Sequence, residues 1–258
     1  MKDCYHTTKI KFLQSILKDG LKPIYGDNSS LTADSRVGKV SYSVGKQGAA
    51  NTFDVFRRFY NSVLEGNINE DHFRESLSEQ DLKRHQESIE SIRSASSFED
   101  CISDNIYLCF DGNCLSEKNE DKPEDSYTSQ TIPANQLKVC VIKNIQDNKI
   151  ESYSMLDIYS MFFAKNPELR KGLATYRYKD KIEKFKSDKY QLDFIDLEKF
   201  CEMHPEVLQE NTSKKQQIST EDIGKRCEKA NFADKETVTG IFSKWKKRIL
   251  EMGFSKEW

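Results

Sequence analysis

Histidine and cysteine side chains are the first candidates for chemistry in this sequence. His6 follows a short predicted strand and precedes two hydroxyl side chains, Thr7 and Thr8. A histidine beside a thiol of lowered pKa can form a nucleophilic site, with Cys4 or Cys109 as the thiol. None of the seven cysteines lies in a recognisable nucleophile signature, and no His or Cys spacing suggests a metal site. We therefore predict buried free thiols in a reducing compartment and no metal.

Two strand-turn-helix units position the first candidate residues. The first runs from a strand at residues 2–5 through His6 into a helix whose apolar spacing ends at a predicted cap, Gly20. The second begins with an alternating strand at residues 39–44 that carries Tyr42 on its apolar face. Each residue has two interpretations. His6 is a strand-end histidine bonded to nearby backbone or a ligand-binding group, and Tyr42 is a core aromatic or a stacking surface.

The rest of the chain predicts an α+β fold in two parts. Acidic residues 65–104 predict a helical insertion, and alternating apolar residues predict strands at 105–110 and 137–142. The last hundred residues show helical spacing and no convincing strand. We therefore predict an α+β domain at residues 1–150 and an all-helical domain at residues 151–258.

Charge is distributed unevenly along the 258 residues. Lys and Arg number 40 and Asp and Glu 42, for a net charge of −2, yet residues 1–64 carry +5, residues 65–125 carry −11 and residues 165–258 carry +4. The near-zero total argues against a uniformly basic nucleic-acid binder. No apolar run approaches the roughly 20 residues that span a bilayer, and the first residues lack the apolar stretch of a secretory signal. The sequence therefore predicts a soluble, cytoplasmic protein without a membrane partner.

The first unit resembles the opening motif of ADP-ribosyltransferases of the diphtheria-toxin and PARP-like group. The shared pattern is Tyr5-His6-Thr7-Thr8, a short helix ending in Ile16-Leu17, and then Gly20-Leu21. The resemblance implies that His6 hydrogen-bonds the adenosine ribose of NAD, while Thr7 or Thr8 helps to hold the nicotinamide side. It also implies that Tyr42 stacks on the nicotinamide ring, with Ser43 beside it as a further NAD-binding residue. Family members usually have a small residue where Thr7 stands.

A third family position is commonly a glutamate ahead of a late strand. The resemblance implies that it binds the ribose 2′-hydroxyl and stabilises the oxocarbenium-like transition state. No glutamate stands at the expected distance from the strand at residues 137–142; Gln130 is the closest polar substitute, and Glu124 lies a few residues too early. A glutamine keeps a hydrogen-bond partner but removes the negative charge. We therefore take Tyr42 and Gln130 as the candidate catalytic residues.

The resemblance implies a split mixed β-sheet with helices, followed by an all-helical C-terminal region. It also implies a mono-ADP-ribosyltransferase, a glycosyltransferase that consumes NAD, releases nicotinamide and modifies a macromolecule, with a protein as the expected target. Such an enzyme acts in the cytoplasm, or as a toxin or effector delivered to another cell by a route without a signal peptide.

Two alternatives to the transferase stay open. The missing glutamate favours a catalytically inactive interaction module of the same fold. Residues 218–250 predict a helix, a turn and a basic helix with Lys246, Lys247 and Arg248. This pattern is typical of an ordinary helical hairpin and also of a DNA-associated regulator that places its second helix on nucleic acid.

Overall fold

A computed structural model describes residues 2–24, 38–68, 77–122 and 125–208. The chain divides into one compact unit at Met1–Glu210 and a second at Asn211–Trp258, so every described residue lies in the first. The boundary predicted at residue 150 falls inside that unit. Glu124 and the helices predicted for residues 218–250 lie outside the described residues.

The described residues contain eight strands and eight α-helices. The strands are β1 (Asp3–Lys9), β2 (Val40–Val44), β3 (Asn105–Asp111), β4 (Asn119–Lys122), β5 (Asp125–Thr128), β6 (Lys138–Asn144), β7 (Lys149–Ser152) and β8 (Tyr190–Asp196). The helices are α1 (Leu13–Asp19), α2 (Gly45–Leu64), α3 (Glu79–Ser94), α4 (Phe98–Cys101), α5 (Met155–Lys165), α6 (Leu173–Arg177), α7 (Lys179–Phe185) and α8 (Leu197–Met203). The α+β class is therefore confirmed. No helix among these residues is both long and apolar enough to cross a membrane.

All eight described strands belong to one sheet. The strand order is β4-β5-β2-β1-β3-β6, and both β7 and β8 pair with β6. Every described ladder is antiparallel. The prediction of a mixed sheet is wrong for these strands. Parallel neighbours need a long crossover connection, whereas β4 joins β5 and β6 joins β7 through short connections that suit antiparallel pairs.

The two faces of the sheet carry separate cores. Successive side chains of a strand point to opposite faces, so Cys4 and Tyr5 of β1 lie in different cores. We call the side covered by α2, α3, α5 and α7 the α2 face, where Tyr5 packs. The side covered by α1 and α8 is the α1 face, where Cys4 packs with Leu13 of α1 and Phe200 of α8.

The ladder between β1 and β2 is short. It consists of the pairs Cys4↔Val44 and Tyr5↔Ser43, whereas β1 pairs with β3 over seven residues, as far as Lys9↔Asn105. We call the remainder of these two strands, residues 6–9 of β1 and 40–42 of β2, the β1–β2 opening. His6 and Tyr42 thus lie beyond the paired part of these two strands; the β3–β6 ladder is equally short, with the pairs Leu108↔Val139 and Cys109↔Lys138.

Strand β1 is longer than the sequence predicts. The strand was expected at residues 2–5 with a turn at His6, yet it continues to Lys9, followed by one turn of 3-10 helix at Ile10–Phe12. Pairing with all seven residues of β3 accounts for the extension. His6, Thr7 and Thr8 therefore lie within a strand and alternate between its faces.

Strand β8 corrects the prediction that the region after residue 150 is all-helical. It pairs with β6 over seven residues, from Lys138↔Asp196 to Asn144↔Tyr190. An ion pair of 2.7 Å between Lys143 Nζ and Asp193 Oδ2 also crosses this ladder. Helices α7 and α8 lie on both sides of β8 in the chain, and β8 forms a strand because it pairs with β6. The described part of the predicted insertion at residues 65–104, in contrast, is helical and forms α3 and α4.

Candidate functional site at the β1–β2 opening

His6 is held at the opening by a bond to the neighbouring strand. Its Nδ1 lies 2.7 Å from the carbonyl oxygen of Ser41. Because a carbonyl oxygen only accepts, Nδ1 carries the proton and donates it. Burial lowers the pKa of His6 below its usual value of 6.5, although the bond to Ser41 opposes the change. The ring is therefore neutral near pH 7, and its Nε2 is a hydrogen-bond acceptor suited to a ligand hydroxyl.

The two faces of the sheet divide the candidate residues. The β1–β3 ladder is regular, so His6 and Thr8 share the α1 face with Cys4, while Thr7 shares the α2 face with Tyr5. On β2, Tyr42 packs in the core of the α1 face. His6, Thr8 and Tyr42 thus lie on one side of the sheet.

Ser43 lies on the other side of β2 and contacts helix α2. It is 3% exposed, and its hydroxyl forms a short hydrogen bond with that of Thr52. Thr52 donates to the carbonyl of Gly48 at 3.1 Å, so Ser43 is the donor to Thr52. Ser43 thereby links β2 to α2 on the face away from His6.

Tyr42 is packed inside the protein. Its side chain is 3% exposed, and its ring lies edge-to-face against Phe110 at a centroid distance of 5.7 Å and an interplanar angle of 74°. Such a pair contributes about 0.5–1.5 kcal/mol beyond burial. A ligand ring could stack on Tyr42 only after the side chain leaves this position.

Gln130 holds a loop against the end of β5. Its Oε1 accepts from the backbone N–H and the hydroxyl of Ser116, both at 3.0 Å, and its Nε2 donates to the carbonyl of Cys114 at 3.3 Å. Two residues later, Ile132 exchanges two backbone hydrogen bonds with Leu21. In the described structure the amide of Gln130 positions these segments.

Strand β5 is the part of the site that sequence reasoning missed. It spans four residues and pairs with β2, with Ser126 directly opposite Tyr42. Ser126 is fully buried, and Asp125 is the acidic residue of this strand. The alternation of Ser126, Tyr127 and Thr128 is the only signal for the strand, and it is too short to distinguish from a loop.

The thiols near His6 have different positions. Cys4 lies two residues before His6 on the same face and is fully buried, whereas Cys109 pairs with Tyr5 and packs on the α2 face. Within the described ranges, no group of three or more His, Cys, Asp or Glu side chains could hold a metal ion.

Comparisons with known proteins do not assign a family to the chain. No family model matches it, and no curated protein or solved structure matches it.

Proposed function

We propose that the protein binds NAD at the β1–β2 opening and transfers ADP-ribose to a macromolecule. The observation that carries this proposal is the state of His6: a neutral ring, fixed through Nδ1 to Ser41, with Nε2 left as an acceptor next to the short β1–β2 ladder. An adenosine-ribose hydroxyl would donate to that nitrogen. The resemblance of residues 5–21 to the opening motif of ADP-ribosyltransferases supports the same role for His6.

The proposed reaction breaks one glycosidic bond and forms another. The bond between the nicotinamide nitrogen and ribose C1′ breaks, and its electron pair leaves with nicotinamide. A nucleophilic atom of the target then bonds to C1′ and loses its proton to solvent. The excess of five positive charges within residues 1–64 favours a ligand with a diphosphate.

The test is nicotinamide release by the purified full chain, measured by chromatography with NAD and a mixture of cell proteins as acceptors. We expect His6→Ala to abolish release, because the ribose loses its hydrogen-bond acceptor. Gln14→Ala is the matched control, since Gln14 is exposed on α1 and outside the opening. Circular dichroism shows whether each variant is folded. An active His6→Ala variant, or NAD that is neither bound nor consumed by the wild type, would overturn the proposal.

A second candidate is an inactive interaction module that keeps the NAD site. Two observations favour it: Tyr42 is packed against Phe110, and the amide of Gln130 is occupied by Ser116 and Cys114. This candidate predicts NAD binding in calorimetry without nicotinamide release. Nicotinamide release by the wild type separates the two functions, and Gln130→Glu tests the position itself, because a restored carboxylate should raise release only if this position contacts the ribose.

The DNA-associated alternative depends on residues outside the described structure. It predicts salt-dependent binding to duplex DNA, weakened when Lys246, Lys247 and Arg248 are neutralised together. A gel-shift titration at two salt concentrations tests it.

A further inference from the structure

Strand β8 has an outer edge, the edge away from β6, along which no described strand pairs. At one end of the β6–β8 ladder the backbone N–H of Ile145 donates to the carbonyl of Lys189. At the other end the N–H of Leu197 donates to the carbonyl of Leu137. Because bonded pairs alternate along an antiparallel ladder, the odd-numbered residues of β8 bond with β6. The even-numbered residues therefore present their backbone N–H and C=O groups at the outer edge.

The sequence of β8 favours pairing with a further strand. Residues 190–195 read Tyr-Gln-Leu-Asp-Phe-Ile, a window rich in apolar and aromatic side chains with Asp193 as its single charge. Leu192 and Phe194 pack against the core of the α2 face and are only partly buried. An edge strand with accessible apolar side chains is a template for pairing with another chain.

Asp193 blocks this edge at its centre. Its Oδ1 accepts from the backbone N–H of Phe194 at 2.9 Å, and that N–H is one of the donors that a further strand would need. Its Oδ2 lies 2.7 Å from Lys143 Nζ of β6, which holds the carboxylate in place. Burial opposes ionisation, but the hydrogen bonds from Lys143 and Phe194 lower the pKa of Asp193 below its usual 3.8. Another strand would therefore have to displace the bond to Phe194 and remove water from a charged carboxylate.

The edge is complementary to itself. In an antiparallel pair of two copies centred on Leu192, Tyr190 stands opposite the partner's Phe194, and residue 193 stands opposite the partner's Gln191. No like charges oppose each other between residues 190 and 194 in this register, so cross-strand repulsion is absent there. The pairing uses the same edge of both copies, and it therefore closes at two copies.

We propose that the outer edge of β8 is a docking surface for a second copy of this chain and that Asp193 keeps it closed. Removing the Asp193 acceptor makes the N–H of Phe194 available to the partner's backbone, and contact at Leu192 and Phe194 then stabilises the pair. The proposal is independent of NAD binding, because β3 and β6 separate β8 from the β1–β2 opening.

Size-exclusion chromatography of the full chain with light-scattering detection tests the proposal. We expect the wild type to have the molar mass of one chain, and Asp193→Val to reach twice that mass as the protein concentration rises. Asp196→Val is the matched control and should keep the mass of one chain. It removes the same charge from the same strand, and the Asp196 side chain caps no backbone N–H of the helix that follows.

A second substitution locates the contact between the copies. Leu192→Pro in the Asp193→Val background should restore the mass of one chain, because proline removes the outward N–H at the centre of the edge and no bond to β6. Asp193→Val also leaves Lys143 without its carboxylate, so circular dichroism and thermal unfolding are measured for each variant. If Asp193→Val does not fold, the double variant Asp193→Val with Lys143→Met removes that unpaired charge and serves as the same test.

Three outcomes would overturn the proposal. One is a folded Asp193→Val variant that keeps the mass of one chain at every concentration. Another is a dimer of Asp193→Val that persists with Leu192→Pro, because the contact would then lie away from this edge. The third is a wild-type dimer that Leu192→Pro converts to single chains, because Asp193 would then not close the edge.

Discussion

Replacing Gly20 by alanine should strongly destabilise the connection between α1 and the segment that carries Gln130. Gly20 ends α1 with φ 75° and ψ 175°, a conformation adopted almost only by glycine. A Cβ at this position would lie 2.7 Å from the carbonyl oxygen of Ile132. That oxygen accepts from the N–H of Leu21 at 2.8 Å, and the N–H of Ile132 donates back at 3.0 Å. The methyl group would therefore strain the backbone and separate two hydrogen-bonded segments.

The loss of stability follows from two contributions, the backbone strain at residue 20 and the weakened backbone hydrogen bonds between Leu21 and Ile132. A residue held in such a backbone conformation costs about 1–3 kcal/mol, and each backbone hydrogen bond contributes about 0.5–1.5 kcal/mol. We expect Gly20→Ala to lower the free energy of unfolding by about 3 kcal/mol, which corresponds to a Tm decrease of about 6–12 °C for a protein of this size. Gly66→Ala is the matched control, because Gly66 also has a positive φ of 70° but open space around it. The control should cost about 1 kcal/mol.

Urea unfolding followed by circular dichroism measures both variants. The reasoning requires Gly20→Ala to lose clearly more stability than Gly66→Ala. If the free energy of unfolding falls by the same amount in both variants, within about 0.5 kcal/mol, the close approach of Gly20 to the carbonyl oxygen of Ile132 has no energetic consequence. The predicted clash would then be wrong. A loss of stability in Gly66→Ala alone would refute the predicted clash more directly.

Three further predictions concern buried polar groups on β1 and β3. Tyr107→Phe should lower the free energy of unfolding by about 1–2 kcal/mol in urea titrations, because the Tyr107 hydroxyl donates to the buried carbonyl of Ala49 at 2.9 Å. Tyr5→Phe should be neutral or stabilising, since that hydroxyl is buried without a hydrogen-bond partner; equal losses would contradict both assignments. His6 makes stability depend on pH: its pKa is lower folded than unfolded, so the unfolded state binds more protons below pH 6.5. Acidification from pH 7 should therefore destabilise the wild type more than His6→Gln, and parallel pH profiles would argue against a buried, neutral ring.

Much of the fold is encoded locally and could be predicted. The alternation of Val40, Tyr42 and Val44 predicts one shared face; Val40 and Tyr42 lie in the core of the α1 face, and the partly buried Val44 packs against it. The helix end at Gly20 is confirmed by its positive φ. The strand predicted at residues 105–110 is confirmed as β3. These features depend on the alternation of apolar side chains and on turn-forming residues, and both can be recognised within a few consecutive residues of the sequence.

The remaining features depend on partners far away in the chain. The extension of β1 to Lys9 follows from β3, about one hundred residues later, and β8 is a strand because β6 pairs with it. The same limit applies to the site. The sequence indicated His6 and Tyr42, but it could not show that Ser43 faces α2 or that the amide of Gln130 is occupied by Ser116. Those facts depend on register, which one residue of slip would invert.

Calorimetric titration of the purified full chain with NAD tests the central claim most directly. The claim is that the acceptor nitrogen of His6, fixed by Ser41 at the β1–β2 opening, binds the ribose of NAD. We predict saturable binding by the wild type and by Gln14→Ala, and affinity reduced at least tenfold in a folded His6→Ala variant. No binding by the wild type at millimolar NAD, or equal affinity of the wild type and His6→Ala, would contradict the account.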